Sequence, residues 1–129
     1  MRAIDTNVII RLLTSDDPVQ AEAARRIIQE GEVFIGVTVM LEAECVLRAG
    51  YGFGASDIAS ALRGLAGLAQ VTIEDAVAVA VALDWMNSGM DFADALHLAR
   101  SEHCSAFVTF DRRLAGKAKG LAHTPVVMP

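Results

Sequence analysis

Two short apolar runs in this chain each end at an aspartate, and this pattern constrains the fold more than any other feature. Residues 1–4 lead into Asp5, and residues 106–110 lead into Asp111. Runs of this length and composition are typical of buried β-strands. Because open α/β folds bind ligands beyond the carboxyl ends of parallel strands, we expect both aspartates to lie at that edge of one sheet.

Strand-type and helix-type segments alternate along the whole chain. Strands are predicted at residues 2–4, 33–35, 71–73, 106–109 and 126–128. Helices are predicted at residues 6–13, 18–29, 39–48, 56–68, 76–87, 92–101 and 112–119. This alternation predicts an α/β fold, a three-layer α/β/α sandwich with a mainly parallel central sheet. The length of 129 residues, without a linker or repeat, indicates a single domain spanning residues 1–129.

Capping residues indicate where several helices begin. Asp17 precedes Pro18, which suits the first position of a helix. Thr38 is predicted to cap the third helix, and Thr72 with Asp75 has the spacing of a capping box before the fifth.

Composition and charge restrict the class of protein. Apolar residues make up 53% of the chain, which argues against a disordered segment. No apolar run approaches the roughly 20 residues of a membrane span, and no signal peptide precedes Asp5, so we expect a cytoplasmic protein without membrane contact. Cys45 and Cys104 lack metal-binding spacing and are expected to be reduced and buried. The net charge of −5 argues against general nucleic-acid binding, although divalent ions bound to clustered acids would cancel part of it.

Acidic residues in four separate blocks are the candidate functional groups. Asp5 and Asp111 follow strands, Asp94 lies in a helix, and Glu42 lies on a helix face that we expect to turn toward the protein. Each acid alone has an ordinary explanation as a helix cap or as part of a solvated face. Together they favour a site for a hard divalent cation, because such cations prefer oxygen ligands and relieve the repulsion between carboxylates.

In these blocks the chain resembles the PIN domain family, and within it the VapC-like toxins of toxin–antitoxin pairs. The resemblance rests on Ile-Asp-Thr-Asn-Val at 4–8, Leu-Glu-Ala-Glu-Cys-Val-Leu-Arg at 41–48, Asp-Phe-Ala-Asp-Ala-Leu at 91–96 and Thr-Phe-Asp-Arg at 109–112. Each block alone is a weak signal. Their order and spacing over nearly the whole chain make the combined signal strong.

The resemblance implies a set of ligands for Mg²⁺ or Mn²⁺. It assigns metal-binding and catalytic roles to four acids and adds a fifth acid as a metal ligand. The four are Asp5, Glu42, Asp94 and Asp111, and the fifth is Asp91. Glu42 is preferred to Glu44 because it lies three residues before Cys45, where similar sequences often have tryptophan. Glu44, predicted to face solvent, is the reserve candidate.

Polar residues near these blocks are candidates for supporting roles. Asn7 and Thr109 are predicted to orient the carboxylates through hydrogen bonds, although Asn7 also suits the first turn of a helix. The candidate RNA contacts are Arg48, Arg112, Arg113 and Lys117. A solvated basic helix face explains the last three residues equally well.

From these residues we expect a metal-dependent endoribonuclease that hydrolyses RNA phosphodiester bonds. Its similarity to VapC toxins implies the toxin of a type II pair, a homodimer, and a hetero-oligomer with a cognate VapB-like antitoxin. Other metal-dependent phosphoesterases, including a structure-specific DNA nuclease, form the first alternative. A catalytically silent interaction module whose acids are helix caps forms the second. The RNA target, the number of metal ions and the antitoxin stay open.

Overall fold

Three parallel strands organise residues 1–76 in the computed structural model, which describes all 129 residues. The elements of this first unit are β1 (Arg2–Ala3), α1 (Thr6–Thr14), α2 (Pro18–Gln29), β2 (Val33–Ile35), α3 (Val37–Cys45), a π-helical segment (Val46–Gly50), α4 (Ala55–Ala66) and β3 (Val71–Ile73). The strand order is β1-β2-β3, and both pairings are parallel. Helix α1 packs against α2 and α3.

Local capping explains where α2 begins. The Asp17 carboxylate accepts a hydrogen bond from the backbone N–H of Gln20, and Pro18 occupies the first helical position. The side chain of Gln20 does not complete a capping box, because its Oε1 atom accepts a 2.6 Å hydrogen bond from Arg11 of α1 instead. That contact joins the first two helices.

A polar network holds the loop after the π-helical segment against the end of α1. The Tyr51 hydroxyl donates a 2.6 Å hydrogen bond to Asp16 Oδ2, and Arg11 forms a 3.0 Å ion pair with Asp16 Oδ1. The Tyr51 ring stacks on Phe53 with 6.0 Å between ring centres. These contacts join segments 35 residues apart in the sequence.

A second compact unit comprises residues 77–129. Its elements are α5 (Ala76–Asn87), which begins at the boundary, α6 (Phe92–Ala99), β4 (Phe107–Val108), α7 (Arg112–Ala118) and β5 (Val126–Val127). Strands β4 and β5 pair in parallel and form a sheet of their own. The apolar residues buried in this unit include Phe92, Leu98 and Leu114.

The predicted α/β fold with parallel strands is confirmed, and every predicted helix and strand is present within a few residues. The strands pair as two sheets, not as one continuous ladder. The assignment of residues 1–129 to one domain stays a prediction. None of the α-helices is long and apolar enough to cross a membrane.

Three local predictions were wrong. Helix α3 begins at Val37, before Thr38, because the Glu74 carboxylate accepts the Val37 N–H over 2.8 Å and replaces the predicted cap. Thr72 lies within β3, and Asp75 has a positive φ of 53°, so the two do not form a capping box. Both cysteines are exposed: Cys45 lies outside the buried face of α3, and Cys104 lies in the turn after α6.

Candidate metal centre

Asp5 caps the helix that follows the first strand. It is exposed, and its Oδ1 atom accepts a 2.6 Å hydrogen bond from the backbone N–H of Thr6. The neighbouring Thr6 side chain is buried, and its hydroxyl has no hydrogen-bond partner. The strand-to-helix turn therefore presents a carboxylate next to a polar group whose hydrogen bonding is unsatisfied.

The two glutamates of α3 have the opposite exposure to that predicted. Glu42 is exposed, whereas Glu44 is buried. The Oε2 atom of Glu44 accepts a 2.9 Å hydrogen bond from Arg48, four residues along the chain. The expectation that Glu42 turns toward the protein was wrong, because helix rotation places Met40 and Ala43 on the packed face of α3 together with Glu44.

Neither Asn7 nor Thr109 forms the predicted hydrogen bond to a carboxylate. Asn7 is exposed, its side chain forms no hydrogen bond, and it lines an apolar groove between α1 and α2. The Thr109 hydroxyl accepts a 3.0 Å hydrogen bond from the backbone N–H of Asp111, so it holds the backbone and not the carboxylate. Their supporting roles stay predictions.

Three aspartates of the second unit lie close together. Asp91 caps α6 by accepting a hydrogen bond from the Asp94 N–H, and Asp111 caps α7 by accepting one from the Leu114 N–H. The Asp94 carboxylate lies in the first turn of α6 and accepts no hydrogen bond. One cap therefore places the backbone of Asp94 and leaves its side chain available.

These aspartates line a cavity of about 410 Å³, here called the α6–α7 cavity. Its lining combines apolar, acidic and basic residues: Gly89, Met90, Leu114, Asp91, Asp94, Asp111, Arg113 and Lys117. The volume lies in the range of small-molecule and cofactor sites.

The environment of Asp94 disfavours its charged form. Burial raises the pKa of this carboxyl, and the negative charges of Asp91 and Asp111 raise it further, while His97 opposes them. Like charges raise a carboxyl pKa because bringing them together costs free energy, and a bound cation removes that cost. A cation bound between the three carboxylates would therefore relieve their mutual repulsion.

The structure places only two of the four predicted RNA contacts in the cavity lining. Arg113 and Lys117 line the α6–α7 cavity, while Arg112 lies outside its lining. In the first unit, Arg48 is held by Glu44. The assignment of these four residues as RNA contacts stays a prediction.

Comparison with known families decides the assignment. The model of the PIN domain matches residues 3–120. The chain belongs to the PIN domain family. A search among curated proteins finds no significant match. PIN domains are generally metal-dependent nucleases, so membership indicates a hydrolase that uses divalent metal ions.

The acids of this PIN domain fit a divalent cation by their chemistry. No group of three or more acidic, histidine or cysteine side chains is arranged to hold a metal ion. Mg²⁺ does not require such a group, because it keeps several water ligands and is often held by one or two carboxylates and a substrate phosphate. The oxygen donors of Asp91, Asp94 and Asp111 and the raised pKa of Asp94 suit such a cation.

Sequence reasoning missed two features of this PIN domain. Gly89 and Met90 line the cavity, although the sequence indicated only a break between helices at that point. The glycine itself was the available signal, because glycine readily adopts a positive φ, and Gly89 has a φ of 104° in the structure. The burial of Glu44 had no signal in the sequence, since α3 carries apolar residues on most of its surface.

Proposed function

We propose that this PIN domain is a Mg²⁺- or Mn²⁺-dependent endoribonuclease that hydrolyses RNA phosphodiester bonds. We propose further that it is the toxin of a type II toxin–antitoxin pair. Family membership supports a metal-dependent nuclease. The choice of RNA and the role as a toxin rest on the resemblance of the four acidic blocks to VapC-like toxins.

One observation carries the enzymatic proposal. A chain of the PIN family brings Asp91, Asp94 and Asp111 to one cavity, and the pKa of Asp94 is raised there by burial and by the two neighbouring charges. An arrangement that destabilises a carboxylate is typical of functional sites, because packing alone does not favour it.

The proposal gives each acid a defined part. Asp94 and Asp111, with Asp91 beside them, would hold the cation through carboxylate oxygens. We include Asp5 and Glu42 of the first unit among the metal ligands only because their sequence blocks resemble those of VapC-like toxins. A bound divalent ion supplies an activated water and neutralises charge on the phosphate oxygens. The cap hydrogen bonds of Asp91 and Asp111 restrict their carboxylates, which lowers the entropy lost on binding.

A cleavage assay with matched variants tests the proposal. Labelled single-stranded RNA and DNA of the same sequence are incubated with wild type, Asp94→Asn and Asp5→Asn in Mg²⁺, in Mn²⁺ and in EDTA. We expect RNA cleavage by wild type in either metal, none in EDTA, and a loss of at least about 100-fold in both variants, the size expected when a main catalytic electrostatic group is removed.

Glu102→Gln is the matched control, since Glu102 is an exposed acid in a turn outside the cavity. It should retain wild-type cleavage. RNA cleavage that persists in EDTA and in Asp94→Asn would contradict the proposal. Preferential DNA cleavage would replace it with the DNA-nuclease alternative.

A catalytically silent interaction module is the second candidate function. The observation in its favour is that Asp5, Asp91 and Asp111 all accept capping hydrogen bonds, so each has a structural role without metal. Thermal unfolding distinguishes the two. A cation that binds only the folded protein raises Tm with its concentration, whereas a silent module shows no such rise.

The proposed partners are a second copy of this chain and a VapB-like antitoxin in a hetero-oligomer. The test is expression of the chain in a bacterial host with and without the protein encoded by the adjacent reading frame. We expect growth arrest with the chain alone, relief on co-expression, and no arrest with Asp94→Asn. Arrest by Asp94→Asn as well would contradict a toxin that acts through cleavage.

A further inference from the structure

Arg113 and Lys117 are two cations in an acidic cavity that pair with none of its acids. They lie four residues apart on α7, and both line the α6–α7 cavity with Asp91, Asp94 and Asp111. Neither forms a salt bridge or a hydrogen bond with any side chain. Because these opposite charges share a cavity without pairing, the three carboxylates and the two basic side chains are all available to a ligand.

A side chain at Gly89 would crowd the end of the Lys117 side chain. A Cβ atom at Gly89 would lie 3.0 Å from Lys117 Nζ and 3.7 Å from its Cε. The φ of 104° at Gly89 is also one that other residues adopt only with strain. Glycine therefore allows the ammonium group of Lys117 to rest against the backbone at the wall of the cavity.

We propose that Arg113 and Lys117 bind a backbone phosphate of an RNA strand whose scissile phosphate lies at the aspartates of the same cavity. This inference rests on the proposed function and adds its substrate-binding residues. A strand with regularly spaced phosphates matches a site that has anionic and cationic parts. A cation held by the acids would neutralise charge on one phosphate, while a neighbouring phosphate contacts Arg113 and Lys117 directly. Gly89 is a positioning residue for Lys117.

Other basic residues of the same segment do not share this geometry. Lys119 follows α7 and lines a separate cavity with Ala115, Thr124 and Val126. Removing its charge changes the net charge of the protein as much as removing that of Lys117. Lys119→Ala is therefore a matched control for electrostatic effects that do not depend on position.

The test measures RNA binding without cleavage. Fluorescence anisotropy with a short labelled single-stranded RNA is recorded in the Asp94→Asn background, with Arg113→Ala, Lys117→Ala or Lys119→Ala added, over a range of salt concentrations. We expect Arg113→Ala and Lys117→Ala to bind about threefold to tenfold more weakly. The slope of log K against log salt should fall by about 0.7 for each lost contact, while Lys119→Ala leaves it unchanged.

The outcomes separate this inference from the proposed function. If wild type cleaves RNA but all three variants bind alike, the inference is overturned and the nuclease assignment stands. If the variants differ as expected but no protein cleaves RNA, the cavity binds RNA and the nuclease assignment fails. A loss that depends on base sequence overturns phosphate binding, because phosphates are common to all sequences.

A double-mutant cycle tests the role of Gly89. Gly89→Ala should weaken RNA binding and reduce the salt slope in the Asp94→Asn background. In the Lys117→Ala background it should change neither, since the side chain that it displaces is already absent. An equal loss in both backgrounds would mean that Gly89 acts on folding alone, and would overturn its role in placing Lys117.

Discussion

The Arg48 guanidinium donates a hydrogen bond to the Glu44 carboxylate over 2.9 Å, with the Glu44 side chain only 3% exposed and that of Arg48 52% exposed. The more buried glutamate of α3 is therefore held by a residue of the adjoining π-helical segment. Glu42 is exposed and forms no such pair. Glu44 therefore has an ion-pair partner in the structure, whereas the Glu42 side chain is exposed to solvent.

Substitution of these two glutamates should separate stability from activity. Glu44→Gln weakens a charge-assisted hydrogen bond to a buried group and should lower the free energy of unfolding by about 1–3 kcal/mol. Glu42→Gln should change it by less than about 0.5 kcal/mol, as expected for an exposed position, and should reduce RNA cleavage strongly. Urea unfolding and cleavage of labelled RNA are the measurements. Equal stability of the two variants would contradict the different roles.

Asp94→Asn should stabilise the protein at neutral pH in the absence of divalent metal. Burial and the charges of Asp91 and Asp111 raise the pKa of Asp94, while His97 opposes them. A carboxyl whose pKa is raised by folding contributes stability below its unfolded pKa, and this contribution is lost as the pH rises through its folded pKa. Wild type should therefore lose stability relative to Asp94→Asn as the pH rises from acid to neutral.

Thermal unfolding of both proteins in EDTA across that pH range measures the effect. The two Tm curves should meet in acid, where Asp94 is protonated in both the folded and the unfolded state. Added Mg²⁺ should reduce the difference at neutral pH, because a cation relieves the repulsion among the aspartates. A wild type that is more stable than the variant at neutral pH in EDTA would show that Asp94 is not destabilised.

Thr6→Val should stabilise the protein, whereas Thr14→Val in the same helix should destabilise it. The buried Thr6 hydroxyl has no partner, and a buried polar group in that condition costs about 1–3 kcal/mol. The Thr14 hydroxyl donates a 2.7 Å hydrogen bond to the Ile10 carbonyl. We expect a gain of about 1 kcal/mol for Thr6→Val in chemical unfolding. A loss of stability at Thr6 would indicate a partner such as a bound water.

Tyr51→Phe should destabilise the protein at neutral pH more than in acid. The Tyr51 hydroxyl is the main cause of the lowered pKa of Asp16, supported by Thr14 and Arg11 and opposed by desolvation. A carboxyl whose pKa is lowered by folding contributes stability above its unfolded pKa, and this contribution is lost as the pH falls through the folded pKa. Tyr51→Phe should therefore remove stability that wild type has at neutral pH and loses in acid.

Unfolding midpoints measured from neutral to acid pH test this expectation. The difference between Tyr51→Phe and wild type should shrink as Asp16 becomes protonated. In an Asp16→Asn background, the change in unfolding midpoint caused by Tyr51→Phe should not depend on pH. A difference that persists unchanged in that background would assign it to the lost hydrogen bond from Arg11 to the Tyr51 hydroxyl.

Local patterns in the sequence were sufficient to predict the elements of the fold. The β-type runs and the Asp17 cap are properties of adjacent residues, so the helices and strands were placed within a few positions. The acidic blocks likewise indicated the PIN family, and the family match over residues 3–120 confirms that resemblance.

Long-range contacts were not predictable in the same way. The Thr38 cap was wrong because Glu74, distant in the sequence, binds the first N–H of α3. Burial of Glu44 depends on how α3 rotates against its neighbours, and an apolar helix with a weak polar face leaves that rotation undetermined.

The amino-acid sequence by itself determined the α/β elements and the family, because short-range periodicity and motif spacing are encoded in neighbouring positions. Only the tertiary structure decided which glutamate of α3 is buried. It alone also decided that Arg113 and Lys117 share a cavity with three aspartates. The reason is physical: burial, charge repulsion and close approach depend on distances between residues far apart in the chain, and packing sets those distances.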